Sequence, residues 1–450
     1  MKKLTLVALI LSSLMWIHCT PSGPETTNKQ GNIPSSTGGG GSNPPPVGDT
    51  VQPPPSTGGG DTTQPPPSGD GETTTSQTIT KILFETSSND ATRTLSTMDL
   101  DGTHISPLAI PGHSYITASE PSPDGNYIAF VSTKENGGQI WIWNRKTSQT
   151  TRLTDIAPTD YFICSVSSAT NHVLDHCLSW SADSTEIVFS VGWGLNHNRQ
   201  IYKANINQPL IPQKLSLVKT PDNIEPFFSP KLNTKRIAYV GLNNVGSKSF
   251  LFSFNEQNQE QQFTSNANEY IRNPNWSPDG NKLAYVSQRF DLSNPKDHKV
   301  VWMNLEPDAV GVTGIITQIG SSRTQVYDKH PLWSPDSTKI LFLSYDEASE
   351  RNQIYYYDIM SKRLIFVINS GTEFIGDNST TKVYGDLCWL NNDEIVYASA
   401  VSSYAVIDGE DNYSQSHAQL FSTTINSPHP KQLTTIGENT HPTLWRYTSP

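Results

Sequence analysis

The chain has 450 residues, a formal net charge of −11 and only 34% hydrophobic residues, with 30 glycines and 32 prolines. That length holds two or three ordinary domains or one large all-β domain, and the low apolar content leaves part of it unpacked. The acidic balance gives no basic face to neutralise phosphates, which argues against a nucleic-acid partner and gives no reason to expect attraction to an anionic membrane surface.

The N-terminus reads "MKKLTLVALILSSLMWIHC". Lys2 and Lys3 precede an apolar run from Leu4 to Ile17 that is too short to cross a bilayer comfortably, so residues 1–19 are expected to be an export signal. Cys19 ends the run and resembles the lipidated cysteine of bacterial lipoproteins. Leu14 fits the leucine upstream of the cleavage site, whereas Trp16, Ile17 and His18 depart from the small residues of that motif. The resemblance implies export and a lipid anchor; with no Asp after Cys19, the enteric sorting rule points to the outer membrane, facing the periplasm or the outside. Ordinary cleavage nearby, with Cys19 incidental, is the other reading.

Residues 20–78 repeat Pro triplets followed by Gly, Ser, Thr and Asp, as in "VQPPPSTGGGDT". Such a segment cannot bury enough apolar surface to fold and is expected to be a disordered tether. As a coil it would span roughly 45 Å, and fully extended about 180 Å.

From Ile79 to Pro450 the texture changes to short β-branched and aromatic runs separated by tight turns, with no helical period. One phrase recurs. "NPNWSPDGNKLAYVS" (Asn273–Ser287) is followed by "HPLWSPDSTKILFLS" (His330–Ser344) and preceded by "EPFFSPKLNTKRIAYVG" (Glu225–Gly241). Each unit supplies a first strand, a tight turn, a second strand such as "YIAFVS" or "EIVFSV", and a hairpin of third and fourth strands such as "QIWIWNRKTSQTTRLT". Seven of each can be counted, but the series opens on a second strand, "KILFETS", and closes on a degenerate first strand, "HPTLWRY". The fold expected is all-β: a seven-bladed β-propeller of about 53 residues per blade, closed by the C-terminal strand completing the first blade. Misreading a terminal unit would make it six or eight blades.

The phrase is similar to the TolB-type, WD40-like β-propeller repeat, over roughly residues 79–450. "NPNWSPDGNKLAYVS" matches nearly throughout, while "CLSWSADSTEIVFS" and "DLCWLNNDEIVYAS" are eroded copies. TolB itself carries an α/β domain before six blades, where this chain has a tether and seven. The resemblance specifies fold far more sharply than function.

Most residues of the phrase read as architecture. Trp180, Trp276, Trp333 and Trp389 are expected to pack between blades, and Asp124-Gly125 and Asp279-Gly280 to make hairpin turns. "DLDGTH" (Asp99–His104) resembles the start of a calcium loop but lacks the downstream acid, so a turn is the better reading. His172 and His176 have metal-ligand spacing without identifiable further ligands. No metal or cofactor is expected. Cys164 and Cys177 could close a disulfide loop in an exported protein, leaving Cys388 of "DLCWL" as a buried thiol; all three could equally be unpaired.

The candidate site is the position three residues before each Trp, where the repeats differ: Glu225, Asn273, His330, Asp386 and His441. In a propeller these side chains ring the mouth of the central channel. Either a ligand or partner docks there, or they are solvated strand starts that satisfy loop backbone groups. The longer connections emerge on that same face, carrying Tyr161, Phe162, Tyr404 and Tyr413 as aromatic contacts. No G-x-S-x-G elbow occurs and nothing follows the propeller, which argues against propeller-linked hydrolases. The function expected is envelope binding or scaffolding by a monomer, with a protein or glycan partner and the membrane engaged through the lipid only. The alternatives are a polysaccharide-degrading, propeller lyase-like enzyme using channel-mouth His330 and His441, and a purely structural surface protein.

Overall fold

The strands that carry the repeats are apolar on both sides, and the reason lies in where they stand. In Tyr127–Ser132, Ile128 and Phe130 face one neighbouring sheet while Ala129 and Val131 face the other. A strand buried on both faces reads as a continuous apolar run rather than an alternation. A ring of such sheets has a seam at every junction and no single core.

In the computed structural model the chain falls into two units, residues 1–72 and 73–450. The structure describes residues 76–449 except 90–91, 133–137, 157–160, 164–176, 194–198, 216–219, 244–247, 256, 265–268, 290–297, 306–310, 316–323, 326–330, 347–350, 370–379, 408–409 and 415–417. The export signal, Cys19, the tether up to residue 75, Cys164, His172, His176 and His330 therefore lie outside the described residues.

The second unit is a seven-bladed β-propeller, all-β among the described residues. Blade 1 pairs Thr78–Asn89, Thr92–Met98 and Ser106–Pro107 with the C-terminal strand Glu438–Thr448. Leu444 lies opposite Ile82, so the last strand closes the sheet begun by the first, as the strand count predicts. Blades 2, 4 and 5 are plain four-stranded sheets starting at Ile116, Asp222 and Glu269. In blade 3 the innermost strand comes in two pieces, Tyr161–Ile163 and Leu178–Trp180, both paired with Glu186–Trp193. Blade 6 does the same with Thr324–Gln325 and Leu332–Trp333.

Blade 7 corrects one reading. The stretch around Tyr404 and Tyr413, expected as a connection, is a hairpin: Glu394–Ile407 runs on past the blade and pairs with Glu410–Ser414, Tyr404 opposite Tyr413.

Among the described residues the buried apolar side chains form seven clusters, one per seam. Stability is thus spread around the ring, each seam burying β-branched and aromatic side chains at about 25 cal/mol per Å².

Candidate functional site

The Trp of each phrase is the blade-to-blade fastener. Trp180 Nε1 donates to the carbonyl of Glu120 (3.0 Å), Trp276 to Phe227 (3.1 Å), Trp333 to Asn275 (3.1 Å) and Trp389 to Leu332 (3.1 Å), each reaching the innermost strand of the preceding blade. At the closing seam the sequence shifts by one, and Trp445 Nε1 instead donates forward to Gly125 O (3.0 Å) in blade 2.

The Ser-Pro-Asp turns fasten the opposite end. Ser122, Ser181, Ser277 and Ser334 each donate to the Asp two residues on. The backbone N–H of Asp124 donates to Ser184 Oγ, that of Asp279 to Ser337 Oγ, and that of Asp336 to Asn392 Oδ1, all in the next blade. Burial pushes the carboxyls of Asp124, Asp183, Asp279 and Asp336 up, but hydrogen bonds from Ser, Thr, Asn and Lys neighbours outweigh it and hold all four below the ordinary range. "DLDGTH" is likewise a turn: Asp99 is held by Lys81 and by His104 Nδ1 (2.6 Å), and Asp101 by Thr103.

The position three residues before the Trp has its own geometry. Ala118, Glu225, Asn273 and His441 all have positive φ, from 52° to 55°. At each the innermost strand slips register against its partner. This is a β-bulge, and it turns one backbone N–H of the strand toward the preceding blade. The side chains there accept it. Asn273 N–H donates to Glu225 Oε2 (2.5 Å), and His441 N–H to Asp386 Oδ2 (3.1 Å). In blade 2 the donor is Ser119, whose N–H reaches Glu85 Oε1 (3.2 Å). The non-glycine αL residues cost of order 1–2 kcal/mol each, and the clasps offset that cost.

The five candidates therefore do not behave alike. Glu225 and Asn273 are buried, 5% and 6% exposed, and Glu225 also faces Arg272 at 3.7 Å. Asp386 and His441 border the channel, with side chains 8% and 20% exposed. His330 lies outside the described residues. The structure adds Glu85, 1% exposed, from "KILFETS" in the second strand of blade 1. Its Oε2 is 3.3 Å from Arg93 Nη1 and 3.6 Å from His441 Nδ1, while His441 Nε2 is 3.9 Å from Asp386 Oδ1. The imidazole thus stands between two carboxylates across the closing seam. A lone acid inside an apolar strand was the available signal for Glu85.

Behind this mouth runs the channel, a cavity of about 490 Å³ walled by innermost strands. Two residues beyond the bulge position, Glu120, Phe227, Asn275, Leu332, Cys388 and Thr443 line it. Cys388 is the free thiol; burial pushes it up to about 12, the Glu120 charge adding to this and a Leu444 N–H and Arg446 opposing it, so it stays protonated. Cys177 is disulfide-bonded. Among the described residues no three His, Cys, Asp or Glu side chains are grouped to hold a metal. The side chains of Tyr161, Phe162, Tyr404 and Tyr413 lie outside the described residues.

The repeat phrase and the seven-bladed ring together define a TolB-like, WD40-like β-propeller. No family model matches the chain, and no curated protein matches it in sequence. Among solved structures it is similar to a puromycin hydrolase (11% identity, 80% of this chain and 52% of that one, TM-score 0.54). It is also similar to an oligogalacturonate lyase from Vibrio parahaemolyticus (12%, 71% and 82%, TM-score 0.52). TolB from Acinetobacter baumannii aligns at 14% identity over 81% of this chain and 66% of that one, with a TM-score of 0.45. The chain thus spans about two thirds of that TolB and about half of the hydrolase, and at these identities the likeness is one of fold.

Proposed function

We propose that this is an exported binding and scaffolding protein of the cell envelope, a TolB-like propeller on a stalk anchored to the outer membrane by a lipid on Cys19. It engages a protein or glycan partner at the loop-rich face, around the channel mouth that Asp386 and His441 border. The observation that carries this reading is the division within the ring. Glu225 and Asn273 are sealed into a blade-to-blade clasp, whereas the equivalent pair Asp386 and His441 borders a channel of about 490 Å³, the His441 side chain 20% exposed and that of Asp386, which accepts the His441 N–H, 8%. Concave sites with a few convergent polar groups on an apolar wall are where ligands bind. A disulfide at Cys177 supports an oxidising compartment.

The test is affinity capture from envelope extracts with the whole chain, wild type against His441→Ala and Asp386→Asn. A partner held by the wild type and lost by both variants is the expected result. An unchanged captured set overturns the site. Depolymerisation of polygalacturonate by the wild type but not by His441→Ala would replace binding with the enzymatic reading.

A further inference from the structure

The two faces of the propeller differ in what they expose. Turns from first to second strand and from third to fourth strand share one face, opposite the channel mouth. Of the eight exposed large apolar side chains among the described residues, six belong to these turns: Leu100, Ile105, Leu210, Ile211, Leu232 and Met360. They come from blades 1, 3, 4 and 6, so they stud a rim around the ring and do not gather into a groove. Met360 is 82% exposed and Ile211 72%. Nearer the axis, Pro123, Pro230, Pro278 and Pro335 stand exposed in successive Ser-Pro turns. Three of the acids between them are paired: Asp183 with Lys235 (3.2 Å), Asp279 with Lys282 (2.6 Å) and Asp336 with Lys339 (4.0 Å). Asp101, Asp124 and Asp358, on the same turns, are held by hydroxyl, amide and backbone groups and keep their charge, so the face is apolar at its rim and in part acidic between.

The chain also enters and leaves the propeller on this face. Thr78–Asn89 is a second strand, so it starts at the turn face, and Glu438–Thr448 is a first strand, so it ends there. Ser449 N–H donates to Gln77 O (2.8 Å), which places both ends together. The described chain thus enters at residue 77 and leaves at residue 449 on the apolar-studded face, while the mouth with Asp386 and His441 points the other way.

We propose that the turn face is a bilayer-docking surface: it lies against phospholipid, inserting Ile211, Leu232 and Met360, and so presents the channel mouth away from the membrane. A rim of separate apolar side chains suits a lipid surface, where binding scales with the apolar area buried. Tethering raises the local concentration to the millimolar range, so weak insertion is enough. The inference rests on the envelope reading for its biology but not for its test.

The test uses the chain from residue 19 onward carrying Cys19→Ser, so that neither leader nor lipid contributes, with vesicles of phosphatidylethanolamine and phosphatidylglycerol. Co-sedimentation is expected, and the combined substitution Ile211→Asp, Leu232→Asp and Met360→Asp weakens it about tenfold or more. Ile436→Asp, at an equally exposed site on the other face, leaves it unchanged. All four positions are exposed, and an unaltered thermal melt verifies that the fold is intact. Absence of vesicle binding, binding that survives the triple substitution, or an equal loss with Ile436→Asp overturns the proposal. If instead the Cys19-bearing protein fractionates as soluble in cells, the anchoring fails while the vesicle result stands.

Discussion

Gly125 and Ser184 occupy one turn position in successive blades, both with positive φ, and the neighbouring chain decides between them. A Cβ on Gly125 would lie 1.8 Å from Arg446 O, backbone that cannot move aside. Gly125→Ala is therefore expected to cost at least about 2 kcal/mol, from αL strain plus displacement of the closing strand. Ser184→Gly removes only the acceptor of Asp124 N–H and should cost about 1 kcal/mol. Denaturant midpoints at constant m separate the two. The "Asp-Gly" pair was legible as a turn; which blades need Gly was not, because the obstacle is a backbone atom more than 300 residues away. Likewise "W" was legible as packing, while its Nε1 bond to the preceding blade depends on partners that only the closed ring brings near.

At the level of the element, the bulged innermost strand explains why the candidate position varies. Its backbone geometry is shared by Ala118, Glu225, Asn273 and His441, so the fold constrains φ and leaves the side chain free for either clasp or mouth. Glu225→Ala leaves the buried N–H of Asn273 without its acceptor and Arg272 without its carboxylate, and should destabilise by about 1–3 kcal/mol, whereas Glu225→Gln keeps an acceptor and loses less. Thermal melts of the two variants check this. The turns give a pH prediction. Because Asp124, Asp183, Asp279 and Asp336 titrate below the ordinary value of 3.8 when folded, their contribution is complete above that value and is lost as pH falls through their folded values. Replacing all four by Asn should lower the midpoint at neutral pH and flatten its decline below about pH 4. The repeat revealed these strands in the sequence because apolar periodicity is local. The hairpin at Tyr404 and Tyr413 was missed although the sequence carries Asp408-Gly409 between its strands, because its first strand continues the blade strand unbroken and the whole stretch read as a connection.

For the whole molecule, closure is the organising event. The seven seams have no common core, so the ring holds together only when Glu438–Thr448 joins Thr78–Asn89. Deleting residues 438–450 bares a sheet edge and the faces of Ile82 and Leu83; the expected result is loss of monomer by size-exclusion chromatography, the opened edge pairing between molecules. Blade number and closure were legible from the count of phrases. The pairing of Glu85, His441 and Asp386 was not, because it joins residues from the two ends of that ring. Within one ring of positions, then, Glu225 serves as clasp and the His441 side chain as contact, while Asp386 has a part in both. Partner capture and melting temperature measured together on Glu225→Ala and His441→Ala test this division most directly. Glu225→Ala is expected to lower the melting temperature and keep the partner, while His441→Ala loses the partner with a smaller thermal change. Capture that falls in step with stability in both variants would contradict it.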